Sequence, residues 1–143
     1  MKISVLTPTY NRSNLLDNLY KSLIENLNYG VEIEWLIMND GSTDNTEEKI
    51  KEYIKQGKID IKYFYQENQG KMVAINNLVG QATGELIVDC DSDDYFSDDA
   101  VKIIKESYEK YPNENQELYG MCFLKYDTKG QNMGQLFKNE KTT

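Results

Sequence analysis

Apolar residues are concentrated in two kinds of segment along the chain. The first kind is a short, mostly apolar run that is bounded by polar or turn residues. Runs without polar alternation are typical of parallel strands that are covered on both faces. We predict four such strands and a fifth candidate, namely Ile3–Leu6, Ile33–Met38, Ile61–Tyr65, Leu86–Val88 and, as the fifth, Tyr119–Leu124.

The second kind of segment repeats its apolar residues at helical spacing, which predicts a helix with one core-facing side. The four predicted stripes are Leu15, Leu16, Leu19, Leu23 and Leu27; Ile50, Tyr53 and Ile54; Met72, Ile75, Val79 and Ala82; and Val101, Ile104, Tyr108 and Tyr111, which Pro112 ends. Asp44, Glu47 and Glu48 are predicted in the first turn of the second helix, where the helix dipole favours negative charge. The alternation of strands and helices predicts an α/β fold with a doubly wound, mostly parallel sheet and right-handed crossovers.

Length and charge limit the kinds of partner. A chain of 143 residues without a linker or repeat predicts a single domain. The formal net charge of −8 argues against nucleic acid or an anionic membrane surface as a direct partner. The first apolar run is too short for a signal peptide or a membrane span. We therefore expect no transmembrane segment and a cytoplasmic location.

The chain contains no histidine. This excludes Ser-His-Asp and Cys-His nucleophilic sites and any zinc bound by histidine. Carboxylates must then carry out acid–base chemistry and metal binding. Cys90 and Cys122 form no CxxC pair, and we expect both to be reduced, buried thiols.

Unusual polar residues follow each of the four predicted strands. In an open α/β sheet, ligands bind outside the carboxyl ends of the strands. The four loops are 7–12, 39–44, 66–71 and 89–94. Each loop alone is compatible with ordinary turn and helix-cap chemistry, but four on one edge favour a ligand site.

The loop after the fourth strand is acidic. Asp91, Asp93 and Asp94 place three carboxylates in one turn, where each like-charged pair costs on the order of 1–4 kcal/mol at 4 Å. A bound cation relieves this repulsion, and oxygen ligands with open positions suit Mn²⁺ or Mg²⁺. The alternative is a solvated acidic loop that caps the next helix together with Asp98 and Asp99.

The other loops offer groups that suit a nucleotide. The Asp40 carboxylate only accepts hydrogen bonds, so it suits the ring N–H of uracil, thymine or guanine and repels cytosine. Tyr10 can stack on a base. Lys71, at a helix start, can meet a pyrophosphate. Arg12 is a second candidate cation, although an ordinary surface arginine fits the sequence equally well.

Taken together, the four loop motifs resemble those of family 2 glycosyltransferases. The matching stretches, from Met1 to about Asp99, are VLTPTYNR at 5–12, NDGSTD at 39–44, NQGK at 68–71 and DSDD at 91–94, the last similar to the family's DXD metal motif. The resemblance implies a GT-A, Rossmann-like fold, with a nucleotide-sugar-binding core at 1–99. Residues 100–143 would supply a helix, a strand and the start of an acceptor region that the chain lacks.

The same resemblance implies roles for individual residues. Thr9, Tyr10 and Asp40 would bind the nucleoside of the donor, with Asp40 on uracil, and Lys71 would lie near the diphosphate. Pro8 and Arg12 are further candidate donor-binding residues. Asp91 would contact ribose or metal, Asp93 would be the main ligand of Mn²⁺ or Mg²⁺, and Asp94 would face the sugar, as the one candidate catalytic residue, or support the loop.

The implied reaction is an inverting, metal-dependent transfer from a nucleoside-diphosphate sugar, with a UDP-sugar favoured, to an unidentified saccharide, lipid or protein acceptor. The family's catalytic base lies downstream of the DXD motif. The later acids show no recognisable acceptor motif: Glu114, Glu117, Asp127 and Glu140. We therefore expect a truncated chain that binds donor better than it turns over. Its usual setting would be cell-surface polysaccharide synthesis, in the cytoplasm or peripherally at the inner face of the membrane.

Several alternatives remain. A nucleotide-sugar-binding module without catalysis fits the missing base. A nucleotidyltransferase is expected to open with a glycine-rich phosphate loop, and 7–12 contains no glycine. A receiver domain needs an acidic pair after its first strand, which is absent here. A nicotinamide-dependent enzyme would carry GxGxxG, and the chain has none.

Overall fold

The computed structural model describes residues 1–110 and 123–134. Four parallel strands form one sheet in the order β3-β2-β1-β4. Their bounds are β1 Lys2–Thr9, β2 Glu32–Asp40, β3 Asp60–Gln66 and β4 Leu86–Asp89. The four predicted strands are confirmed, as is the α/β fold class. Most of the fifth candidate, 119–124, lies outside the described residues, and 123 and 124 are not in a strand.

Four α-helices connect or follow the strands. They are α1 Leu16–Glu25, α2 Thr46–Gln56, α3 Lys71–Val79 and α4 Ala100–Lys110. A short 3₁₀ helix, Asn26–Tyr29, continues α1. Asp44 precedes α2, where its carboxylate accepts the Thr46 N–H at 3.0 Å. The prediction of Asp44 in the first turn is therefore wrong, whereas Glu47 and Glu48 lie there as predicted.

Apolar clusters on both sides of the sheet explain its continuous apolar strands. In β1, Val5 belongs to a large cluster with residues of α1, α2 and α4, and its neighbour Leu6 belongs to a smaller cluster with Ala74 and Leu78 of α3. Because successive residues of a strand point to opposite faces, both faces of the central strand are covered. Cys90 is buried, as predicted, and Cys122 lies outside the described residues.

The predicted core-facing side of α3 is wrong for two of its four residues, whereas Ala82 packs against the core and Ile75 is partly buried. Met72 and Val79 are 68% and 45% exposed, whereas Ala74 and Leu78 are fully buried. Both sets of residues recur at helical spacing, so periodicity alone did not separate them. The face with Ala74 and Leu78 packs on the sheet, because the small Ala74 side chain lets the helix approach β1 and β2. Ile54 of α2 is likewise 41% exposed, and the predicted helix end at Tyr111 and Pro112 lies outside the described residues.

A buried carboxylate joins three strands at the end of the sheet opposite the loops discussed below. Glu34 is fully buried, and its Oε2 lies 2.8 Å from the ammonium groups of both Lys2 and Lys62. Ser4 Oγ and the Thr83 N–H also donate to it, at 2.5 and 2.7 Å. Burial alone would raise the pKa of Glu34, but these hydrogen bonds outweigh burial and hold the pKa far below its ordinary value.

The chain divides into two compact units, Met1–Glu109 and Lys110–Thr143. The described part of the second unit is a turn in which Tyr126 and Asn132 form an antiparallel bridge. Among the residues that the structure describes, no helix is both long and apolar enough to cross a membrane.

Candidate nucleotide-binding site

The strand order places a cleft beside β1. Strands β2 and β3 lie on one side of β1 and β4 lies on the other, so the chain changes direction there, as it does at the ligand sites of open α/β sheets. The cleft has a volume of about 370 Å³, within the range of small-molecule sites. It brings together eight residues that the sequence analysis singled out: Pro8, Thr9, Tyr10, Arg12, Asp40, Lys71, Asp91 and Asp93.

Three further residues line the cleft, Asn68, Gly70 and Ser92. The sequence analysis placed them within motifs without assigning them a role. Asp94 does not line the cleft, but its carboxylate belongs to the same acidic group as Asp91 and Asp93.

The loop after β1 is attached to the loop after β2 through Asn11. Asn11 Oδ1 accepts the Thr43 N–H at 2.7 Å and the Asp44 N–H at 3.3 Å, and the Asn11 N–H donates to Ser42 Oγ at 3.0 Å. Asn11 has a φ of 50°, the only positive φ at a non-glycine position among the described residues. Asparagine tolerates this left-handed conformation better than most residues.

Asn11 is a positioning residue that the sequence analysis did not single out. Its neighbours on either side, Tyr10 and Arg12, both line the cleft. By fixing the backbone between them, Asn11 sets where the half-exposed Tyr10 ring and the Arg12 guanidinium stand. A single asparagine after a strand gives little local signal, because its partners are 31 to 33 residues away.

Asp40 organises the loop that leads into α3. Its Oδ1 accepts hydrogen bonds from Gln66 Nε2 and the Gln69 N–H, both at 2.8 Å, and its Oδ2 accepts the Gly70 N–H at 3.0 Å. Asp40 is only 5% exposed. A carboxylate has about four acceptor positions, so these three bonds leave room for one more at Oδ2, and Asp40 lines the cleft.

The loop after β2 and the loop after β3 come into close contact at Gly41 and Asn68. Gly41 has a φ of 78°, and a Cβ at this position would lie 2.8 Å from the backbone nitrogen of Asn68. Only glycine satisfies both conditions without displacing the loop. The Asp-Gly pair after β2 therefore serves the packing of the cleft wall, beyond forming a turn.

The acidic group stands opposite two cations. Carboxylate oxygens of Asp91, Asp93 and Asp94 lie within 4.8 Å of one another. Arg12 Nη1 donates to Asp93 Oδ2 at 2.8 Å, and Lys71 Nζ donates to Asp91 Oδ1. All four paired side chains remain between one third and one half exposed. The cations offset two of the three negative charges without excluding water from the site.

Thr9 presents a buried hydroxyl at the cleft. The residue is 2% exposed, and among the described residues its Oγ1 has no hydrogen-bond partner. Buried hydroxyl groups are nearly always hydrogen-bonded. A ligand in the cleft is one source of the partner that Thr9 lacks.

A parallel α/β sheet with acidic and basic loops at this edge is the architecture of nucleotide-sugar-binding GT-A domains. The model of the family named Glycosyl transferase family 2 matches residues 4–120. The chain belongs to this family.

Curated relatives agree with this assignment. The chain is 37% identical over 114 residues to an uncharacterised glycosyltransferase of Mycoplasma genitalium, covering 77% of this chain and 38% of that protein. It is 36% identical over 131 residues to an uncharacterised glycosyltransferase of Rickettsia conorii, covering 91% of this chain and 20% of that protein. The chain thus spans well under half the length of these relatives.

Solved structures of TarS from S. aureus are similar to this chain. The chain matches residues 1–349 of TarS in complex with UDP-GlcNAc with a TM-score of 0.70 and 30% identity, covering 78% of this chain and 32% of that structure. TarS has also been solved with UDP. The GT-A fold predicted from the sequence is confirmed by this likeness.

Proposed function

We propose that the cleft binds the nucleoside diphosphate of a UDP-sugar together with Mn²⁺ or Mg²⁺, and that the chain supplies the donor-binding part of an inverting glycosyltransferase. The observation that carries this proposal is the convergence of three kinds of group in one cleft. Asp40 offers an acceptor for a base, Arg12 and Lys71 offer cations for phosphates, and the acidic group offers oxygen ligands for a metal.

The nucleoside end of the proposed site lies between the loops after β1 and β2. The remaining acceptor position of Asp40 Oδ2 suits the ring N–H of uracil, and the Thr9 hydroxyl lacks a partner among the described residues. The Tyr10 ring is 47% exposed and available for stacking on a base. The complex of TarS with UDP-GlcNAc supports UDP as the nucleotide.

The acidic group fits a hard divalent cation. It offers only carboxylate oxygens, which lie close enough together to share one ion, and such ligands suit Mn²⁺ and Mg²⁺. Asp91 and Asp93 would hold the ion, because both line the cleft. When bound, such an ion supplies Lewis-acid stabilisation of the departing nucleoside diphosphate.

The remaining residues of the cleft bind and orient the donor. Lys71 is the first residue of α3 and lines the cleft, and the N-terminal end of a helix favours a diphosphate. Arg12 adds a second positive charge from the loop after β1. Asp94 lies beside the metal ligands, from where it would contact the sugar or support the loop.

Calorimetric titration of UDP tests the proposal, with Mn²⁺ present and then with EDTA in excess. We expect UDP to bind only when the metal is present. CDP serves as the matched control, because the cytosine ring nitrogen is an acceptor and would face the Asp40 carboxylate. Equal affinity for UDP and CDP would contradict the role of Asp40, and UDP binding that is unchanged by EDTA would contradict the metal site.

A further inference from the structure

The two cations of the cleft are bonded to the same carboxylates that we assign to the metal. Arg12, from the loop after β1, reaches Asp93, which is 81 residues away in the sequence. Lys71, at the start of α3, reaches Asp91. Each pair therefore joins a wall of the cleft to the loop after β4.

A divalent ion and these cations compete for the same oxygens. Arg12 Nη1 lies 2.8 Å from Asp93 Oδ2, so an ion on that oxygen would stand only a few ångströms from the guanidinium. Like charges at such a distance repel each other even in water. The ion pairs must therefore loosen when a metal binds. Both cationic side chains are about half exposed, and rotation about their own torsion angles is enough to move them.

A diphosphate gives both cations another anion to bind. We propose that Arg12 and Lys71 couple nucleotide binding to metal binding: they neutralise Asp93 and Asp91 when the cleft holds no nucleotide, and they move to the diphosphate when it arrives. This exchange frees the two carboxylates for the metal. The inference rests on the proposed function, since it requires a nucleotide and a metal in one cleft.

The exchange has two consequences for the affinity of the chain for Mn²⁺. The chain binds Mn²⁺ weakly without nucleotide, because two positive charges oppose the ion. UDP raises the affinity for Mn²⁺, and Mn²⁺ raises the affinity for UDP by the same factor, because coupling between two ligands is reciprocal. Contact between the ion and the diphosphate contributes to this factor with or without the two cations. The part that Arg12 and Lys71 add comes from the position of their charges, because exposed ion pairs are individually weak.

Electron paramagnetic resonance of free Mn²⁺, titrated into the 143-residue chain with and without UDP, measures this coupling once the binding of Mn²⁺ by UDP alone has been titrated and subtracted. We expect Arg12→Gln to bind Mn²⁺ alone about thirtyfold more tightly than the original chain, the effect of removing one unit charge at roughly 4 Å from a doubly charged ion in water. The factor by which UDP tightens Mn²⁺ binding should fall in this variant. Lys71→Gln should act in the same direction.

Lys51→Gln is the matched control. Lys51 is an exposed lysine of α2 that pairs with Glu47 one turn away and does not line the cleft. The substitution Lys51→Gln removes the same unit charge, so a general effect of net charge on Mn²⁺ binding would appear in this variant too. We expect Lys51→Gln to leave both the Mn²⁺ affinity and its dependence on UDP unchanged.

The outcomes separate this inference from the proposed function. If the original chain binds UDP only with Mn²⁺ but Arg12→Gln and Lys71→Gln leave the affinity for Mn²⁺ alone unchanged, the coupling is wrong and the donor site stands. An equal gain in Lys51→Gln would likewise overturn it. If the original chain does not bind UDP in the presence of Mn²⁺, the proposed function fails, and the coupling fails with it.

Discussion

Asn11 and Thr43 join the two loops that form the proposed nucleoside end of the cleft, through a hydrogen bond of 2.7 Å from the Thr43 N–H to Asn11 Oδ1. Asn11 makes this bond with a left-handed backbone, at a φ of 50°. The residue does not line the cleft. Its contribution to ligand binding is therefore indirect, through the placement of Tyr10 and Arg12.

Substitution of Asn11 separates its two roles. Asn11→Gly keeps the positive φ and loses the acceptor, whereas Asn11→Ala loses the acceptor and strains the backbone. We expect both variants to bind UDP with about tenfold lower affinity, because each loses hydrogen bonds of about 1 kcal/mol net. Asn11→Ala should also be less stable than Asn11→Gly, by about 1 kcal/mol. Urea unfolding and calorimetry measure the two effects, and equal stability of the variants would show that the backbone is not held at positive φ.

Asp40→Asn should weaken both the binding of UDP and the hydrogen bonds that hold the loop before α3. An amide has one oxygen, so its NH₂ group must face either the Gln69 N–H or the Gly70 N–H, at a buried position. A buried unsatisfied donor costs about 1–3 kcal/mol. We expect weaker UDP binding together with faster amide hydrogen exchange at Gln69 and Gly70. Loss of UDP binding with unchanged exchange would indicate that Asp40 acts on the ligand alone.

The strands were predictable because each contains a short, mostly apolar run that is bounded by polar or turn residues. The loops that line the cleft were also predictable, because parallel strands bring their carboxyl ends to one edge. In contrast, two helical faces of α3 have the same period, and Met72 and Val79 were placed on the wrong one. The contact with the sheet decides which face of α3 is buried, and the periodicity of the sequence does not show that contact.

Polar contacts between residues far apart in the chain could likewise not be predicted from the sequence. Glu34 interrupts an apolar run, but its partners Lys2, Lys62 and Thr83 are 28 to 49 residues away. The Arg12–Asp93 pair joins residues 81 positions apart. Charged residue types are visible in a sequence, whereas their pairing depends on the finished fold.

Glu34 should make the fold sensitive to acid. Its folded pKa lies below its ordinary value near 4.5, so its contribution to stability is complete above about pH 4.5 and is lost as the pH falls from there toward the folded pKa. Glu34→Gln should lose roughly 3 kcal/mol near pH 7, as expected when one partner of a buried ion pair is removed. The variant should also lose less of its remaining stability between pH 5 and pH 3 than the original chain does.

Urea unfolding at several pH values measures this difference. Glu47→Gln is the control, because Glu47 is a half-exposed partner of Lys51 on α2 and such pairs contribute little. If Glu34→Gln and the original chain lost stability in parallel as the pH fell, the acid sensitivity would belong to other carboxylates.

Asp93→Ala should abolish metal-dependent binding of UDP and leave the fold intact. The variant removes one of three clustered carboxylates and one exposed ion pair, and these changes have opposite, small effects on the free energy of unfolding. Asp98→Asn is the control, because Asp98 is an exposed acid near the same loop that lies outside the acidic group. Retained Mn²⁺-dependent binding in Asp93→Ala would show that the metal is held elsewhere.

Anomalous diffraction from crystals of the chain grown with UDP and Mn²⁺ tests the central claim most directly, because the signal of manganese locates the ion without assumptions about its ligands. We predict one strong peak between the carboxylates of Asp91 and Asp93, with a uracil ring beside Tyr10 and Asp40. A manganese peak elsewhere on the chain, or UDP bound outside the cleft, would contradict the assignment of this cleft as the donor site.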